Sequence, residues 1–178
     1  RIHSTLGGLD VQAYVADLIQ KVYRHPLIHV ATDAVIMDAS GYVGNFITRV
    51  KSDRGLQEIR HGAVVLAVGA AEYKPTEYLY GEDDRVLTNL ELEERIAGRD
   101  EALLSSGSVA MIQCVGCRNE DRNYCSRICC SHSIKNALEL KELRPEKDIH
   151  VFYREMMTYG PAEDYYREAS EKDSKFIR

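Results

Sequence analysis

The sequence predicts an α/β fold, and three observations carry that expectation. From residue 108 onward, "VAMIQCVG", "SRICCSHSIKNALELKEL", "DIHVFYREM", "AEDYYREAS" and "FIR" follow one another. They read as strand, helix, strand, helix, strand, the pattern of a parallel sheet with crossover helices. Before them, "AVIMDASGYVGNFITRVKSDRGLQEIRHG" reads as successive strands, a β-meander. Third, residues 63–68 form a continuous apolar run, as expected of a strand buried on both faces. Together these predict parts of two dinucleotide-binding domains, residues 1–100 and 106–178, joined near residues 98–107.

The elements follow in chain order. Val11, Tyr14, Val15, Leu18, Ile19 and Val22 make a helical stripe, with Asp10 as its N-cap. "LIHVAT" reads as a short buried strand. In the meander, Phe46, Thr48 and Val50 alternate with polar neighbours, and Asp53 to Gly55 makes a turn. A loop rich in aromatics and acids, "AAEYKPTEYLYGEDDRV", leads to Thr88 and Glu91, a capping-box pair that opens the helix "NLELEERIA". "GRDEALLSSGS" reads as a polar linker. Pro145 ends the cysteine-bearing helix, and Pro161 suits the first position of the next.

Composition excludes several classes. The chain has 178 residues, a formal net charge of −5 and no apolar run long enough to span a bilayer. Acids and bases are interspersed, which argues against nucleic acid, whose phosphates call for a basic stripe. No secretory signal is legible, so a cytoplasmic location is expected. The chain opens on Arg1 and closes on "KFIR", and it is read as a segment of a longer polypeptide. The six histidines show no metal-binding spacing, and only His132 lies near the cysteines. Met156, Met157 and Tyr159 are expected in the core, and Tyr165 and Tyr166 are expected to pack.

The chemistry gathers in one place. All five cysteines lie between Cys114 and Cys130, spaced Cys114-x2-Cys117-x7-Cys125-x3-Cys129-Cys130. A secreted disulfide framework spreads its cysteines, whereas a cluster points to metal ligands or redox thiols. Cys114 stands at the carboxyl end of a predicted strand, where open α/β sheets bind ligands. Cys125 and Cys129 share a face if the helix starts near Cys125, and the helix N-terminus favours thiolate. Four such thiolates suit a [4Fe–4S] cluster or Zn²⁺. A redox disulfide of Cys114 and Cys117 is the third reading. A glycine-rich phosphate loop is missing: "VAMIQCVG" offers only its final Gly116, and Cys117, Arg118 and Asn119 follow. If this strand–loop–helix is the relic of a nicotinamide site, the thiols occupy the position that a pyrophosphate would take.

These residues resemble the A-type component of heterodisulfide reductase, an iron–sulfur flavoprotein family. The matching stretches are "DVQAYVADLIQKV", "SGYVGNF", "HGAVVLAVGAAEYKPTEYLYGEDDRVLTNLELEERI", "QCVG", "YCSRICC" with "SIK", and "DYYREASEKD". The resemblance implies a thioredoxin-reductase-like core, in which residues 1–100 are part of an FAD domain and 106–178 part of an inserted NAD-type domain. It implies Cys114, Cys125, Cys129 and Cys130 as ligands of a [4Fe–4S] cluster, with Cys117 standing where the family has serine. It places Lys135 near the flavin ring, Ala67, Val68 and Gly69 along FAD, and Glu82 on the flavin side. It implies an electron-transferring oxidoreductase component, with flavin-based bifurcation in some members. Its partners would be B- and C-type subunits and hydrogenase or dehydrogenase donors. This segment alone is expected to hold only some walls of the flavin site and to be inactive. The alternative is a zinc-stabilised, non-catalytic interaction module on a decayed nucleotide fold.

Overall fold

The structure is a computed structural model that describes residues 2–178. Its described residues form two compact units. One comprises the chain up to Val15 together with Tyr73–Arg178, and the other is Ala16–Glu72.

The smaller unit is the meander. Strands β1 (Val35–Tyr42), β2 (Asn45–Ser52) and β3 (Gly55–His61) pair antiparallel in the order β1-β2-β3. Two-residue turns join them, between the pairs Tyr42↔Asn45 and Ser52↔Gly55. Such short loops set hairpin register. Thr48 is the buried residue of β2, and its hydroxyl meets His61 Nε2 at 2.7 Å. The His61 ring stacks on Phe46 at 5.6 Å between centroids. Helix α1 (Val11–Arg24) begins where expected: Asp10 Oδ1 accepts the Ala13 N–H at 2.9 Å. No residue of α1 is buried.

Two predicted strands are absent among the described residues. "LIHVAT" and the run 63–68 carry no strand pairing. Val65, Leu66 and Val68 are 80–90% exposed. A strand exists only as half of a ladder, because its N–H and C=O groups need partners. Apolar composition supplies the side chains for burial but not the neighbouring strand.

The larger unit carries a βαβαβ motif. Strands β4 (Ser108–Ile112), β5 (Asp148–Phe152) and β6 (Ser174–Ile177) run parallel in the order β4-β5-β6. The crossovers are α4 (Cys129–Leu143) and α5 (Ala162–Glu171). This is the predicted parallel sheet with crossover helices. Val109 pairs with Ile149 and Met111 with Val151. With Ala137 and Leu140 of α4 they meet Leu92 and Ile96 of α2 (Asn89–Ala97) in one core. A second cluster of Ile134, Leu138 and Ala169 joins α4 to α5, and Tyr166 packs edge-on against Phe176 at 4.5 Å.

The capping box of α2 forms as the sequence predicts. Glu91 N–H donates to Thr88 Oγ1 at 3.3 Å, and Thr88 N–H to Glu91 Oε2 at 2.8 Å. The expected linker instead holds a short helix, α3 (Glu101–Ser105), because Asp100 caps it through the Leu103 N–H at 2.8 Å. Buried Lys147 closes its other end, donating to Leu103 O at 2.9 Å. Tyr159, expected in the core, is 68% exposed. Among the described residues no helix is long and apolar enough to cross a membrane.

Candidate functional site

The cysteine loop occupies the carboxyl end of β4 and the start of α4. Gln113, just before the first thiol, is fixed by a buried polar network. Its Nε2 donates to Ser133 Oγ at 2.5 Å, and Asn89 Nδ2 donates to the same hydroxyl at 3.0 Å. Asn136 Nδ2 donates to Asn89 O at 3.1 Å. Ser133 and Asn136 are fully buried. Buried amides and hydroxyls persist only when hydrogen-bonded, so this network locks the strand end, α2 and α4 together beside Cys114. Asn136 Oδ1 alone lacks a protein partner there.

The loop is tightly turned. Cys114 (φ +67°), Gly116 (φ +73°) and Arg118 (φ +58°) all take left-handed conformations. Non-glycine residues hold these only where surroundings over-determine them. Arg118 N–H donates to Tyr124 O at 3.2 Å, and the Arg118 guanidinium pairs with Glu155 at 2.6 Å. Arg154 Nη1 donates to Arg118 O at 2.6 Å. Helix α4 begins at Cys129, not near Cys125, so Cys125 and Cys129 do not share a helical face. The cause is local. Arg127 sits at φ +63°, which a right-handed helix cannot include. Cys125 Sγ instead accepts the Arg127 N–H at 3.3 Å.

All five cysteines are free thiols, with Cys117 and Cys130 buried and the other three half-buried. The start of α4 has no side-chain cap, and the Cys129 sulfur belongs to its first residue. The Cys130 S–H donates to it, burial opposes its charge, and Ser126 Oγ at 3.3 Å and the nearby backbone N–H groups assist, so its pKa falls to about 5. Cys130 is pushed up, first by donating to Cys129 and then by burial. Burial also raises Cys114, against a backbone N–H from Arg154, with Cys117 and Cys129 close enough to add to the rise. The thiols therefore feel one another across the loop. Among the described residues no three Cys, His, Asp or Glu side chains already surround a single point. The donor set itself, soft thiolates at a strand end and a helix start, fits an iron–sulfur cluster or zinc by its chemistry.

Lys135 and His132 follow on α4. Lys135 is buried and its ammonium pairs with Glu93 of α2, a carboxylate only 1% exposed. His132 Nε2 meets the same carboxylate at 2.6 Å, and the His3 N–H donates to it at 2.6 Å. Lys135 Nζ also donates to Ser4 O at 3.3 Å. Burial pulls Glu93 upward, but Lys135, the His3 N–H and His132 outweigh it and hold it ionised below its ordinary value. Sequence reasoning missed Glu93, because an acid in "LELEER" looks like any solvated helix residue. Only its position three residues before Ile96, on the same apolar face, hinted at burial.

The remaining expected residues lie elsewhere. Ala67, Val68 and Gly69 are in the exposed run of the smaller unit, with Gly69 at φ +67°. Glu82 is exposed in the turn closed by its N–H to Leu79 O at 3.0 Å.

A parallel βαβαβ segment with five free thiols between its first strand and first crossover helix defines a class, an α/β segment of dinucleotide-binding-like architecture with a thiol-rich loop. Comparison with known proteins narrows it. The chain is 38% identical over 147 residues to the iron–sulfur A-type component of the CoB–CoM heterodisulfide reductase of Methanocaldococcus jannaschii, a match covering 72% of this chain and 22% of that protein. It is 36% identical over 137 residues to the A-type component of the H2:CoB–CoM heterodisulfide, ferredoxin reductase of Methanothermobacter thermautotrophicus, covering 68% of this chain and 21% of that one. An iron–sulfur A-type component of the Methanopyrus kandleri CoB–CoM heterodisulfide reductase is 36% identical over 133 residues, covering 66% and 20%. The chain belongs to the A-type family of heterodisulfide reductase components, whose members are named as parts of oxidoreductases. It spans about a fifth of the length of these relatives. No family model matches it.

Proposed function

We propose that this chain is part of the electron-transfer flavoprotein component of a heterodisulfide-reductase-like complex, with Cys114, Cys125, Cys129 and Cys130 holding a [4Fe–4S] cluster. The observation that carries the reading is the thiol loop at the carboxyl end of β4 in a chain related to proteins named for iron and sulfur. When bound, FAD would take electrons in pairs and the cluster would carry them on singly to partner subunits.

The chain's own residues have separable roles in this reading. Gln113, Ser133, Asn89 and Asn136 hold the strand end and helix start in register. Arg118 and Arg154 bring positive charge to a loop whose thiolates are negative. Lys135 takes the flavin-side position as half of an ion pair with Glu93, so its charge is held in place. Ala67, Val68 and Gly69 line the passage of the chain along FAD, and Glu82 faces the flavin side. Residues 1–100 belong to the FAD domain and 106–178 to the inserted NAD-type domain. The partners are the complex's other components, the B- and C-type subunits and a hydrogenase or dehydrogenase donor, in the cytoplasm. Bifurcation is a property of the whole complex.

Anaerobic purification with iron, zinc and sulfide analysis tests this. About four irons and four sulfides per chain, with broad absorption near 400 nm, is the expected result. About one zinc without sulfide overturns it in favour of a closed structural zinc site.

A further inference from the structure

The loop "EYKP" has no role in the ligand set, yet its tyrosine reaches the middle of the cysteine loop. The Tyr73 ring occupies the space that a side chain on Gly116 would need. A Cβ there would overlap Cδ1 and Cε1 of the ring and lie 2.6 Å from Cγ. Carbon atoms in good contact sit about 3.5–4.0 Å apart, so only glycine admits the ring at this position. Arg122, from the far arm of the cysteine loop, lies on the same ring, with its guanidinium carbon 4.8 Å from the centroid. Its Nη1 also donates to Gly116 O at 3.5 Å. Tyr73 Oη donates to Glu77 at 3.3 Å, tying the ring to its own loop. One aromatic ring thus joins both arms of the loop at a residue between Cys114 and Cys117.

We propose that Tyr73 and Arg122 form an aromatic–guanidinium clamp on Gly116, which holds the Cys114–Cys117 turn in the shape that ligates metal. The inference rests on the cluster reading above for its purpose, and on the ring contact alone for its geometry. Tyr73 and Arg122 are both exposed, so the cation–π contact is of the modest, solvent-facing kind. It acts where three left-handed residues would otherwise relax. Tyr73 and Arg122 are positioning residues, since neither offers a metal ligand. Groups that orient metal ligands in this way are worth about 10- to 100-fold in metal retention. Cys117, one residue beyond Gly116, is only 7% exposed, so its labelling rate reports on the shape of the turn.

The test uses the full-length protein, purified anaerobically, with Tyr73→Leu, Tyr73→Phe, Arg122→Gln and Gly116→Ala. Two quantities are read: the rate of iron loss to a ferrous chelator, and the rate at which iodoacetamide labels Cys117 in metal-free protein. Tyr73→Phe keeps the ring and is expected to match wild type in both. Tyr73→Leu and Gly116→Ala are expected to lose iron about 10- to 100-fold faster and to label Cys117 faster, with labelling of deeply buried Cys130 unchanged. Arg122→Gln is expected to fall between. Wild-type rates for Tyr73→Leu overturn the clamp, as does a Tyr73→Phe variant as impaired as Tyr73→Leu. Should Gly116→Ala fail to fold, the two Tyr73 variants decide. Wild-type protein without iron and sulfide sinks the cluster reading, and the labelling rates then judge the clamp on its own.

Discussion

The two units of this chain spend similar apolar sequence differently. In the larger one, Ile149 and Val151 of β5 are fully buried against α4, whose own Ile134, Ala137 and Leu140 have no exposure. In the smaller one, every residue of β1 is exposed, and Val65, Leu66 and Val68 lie 80–90% open. Both regions read as strand-forming sequence. The difference is that crossover helices lay a second layer on the parallel sheet, whereas a hairpin meander supplies only its own neighbours. Hydrophobic pattern states that a segment is fit for burial, and topology determines whether anything buries it.

That contrast can be tested by substitution, and the largest effect is expected at the buried charge. Glu93→Ala leaves Lys135 with no carboxylate in a closed site. Breaking one side of such a pair costs about 3–5 kcal/mol, and urea unfolding should show that loss. A cost below about 1 kcal/mol, on the order of an exposed pair such as Arg49–Glu58, would show that the Glu93 site is hydrated.

Next come the apolar positions. Ile149→Ala should destabilise by about 2–5 kcal/mol through transfer and cavity terms. Leu66→Ala, at 80% exposure, should stay within about 0.5 kcal/mol. Equal effects at the two sites would mean that residues 63–68 are covered in solution. A smaller loss, about 1 kcal/mol, is expected of Thr88→Ala, which removes one arm of the α2 capping box.

The finest difference is one of pH. Burial favours the neutral form of Glu91, but Lys74 at 2.8 Å, the Thr88 N–H and the Tyr80 hydroxyl outweigh it and lower its pKa to about 2. A carboxylate with a depressed folded pKa contributes stability above its ordinary range near 4.5. That contribution is lost as pH falls from there toward 2. Glu91→Gln should therefore flatten the acid limb of the stability profile between those values. An unchanged limb would assign acid sensitivity to other groups.

Much of the fold was legible because it depends on local rules. The Asp10 cap, the Thr88–Glu91 box, the turn at Asp53 and Arg54 and the βαβαβ alternation all follow from residues a few positions apart. Of the candidate site, the cysteine spacing was visible, but its shape was not. The start of α4 at Cys129 depends on the backbone of Arg127, and the Tyr73 contact with Gly116 joins residues far apart in the chain. Glu93 was invisible for the same reason, since its partners come from α4 and from the chain before α1.

By itself, then, the sequence determined which segments prefer helix or strand, where they are capped, and that five thiols gather in one loop, because these are properties of neighbouring residues. Only the tertiary structure decided which apolar runs are buried, which lysine meets which carboxylate and which ring pins the cysteine turn. Those outcomes depend on desolvation and contact between groups that the chain brings together only when it folds.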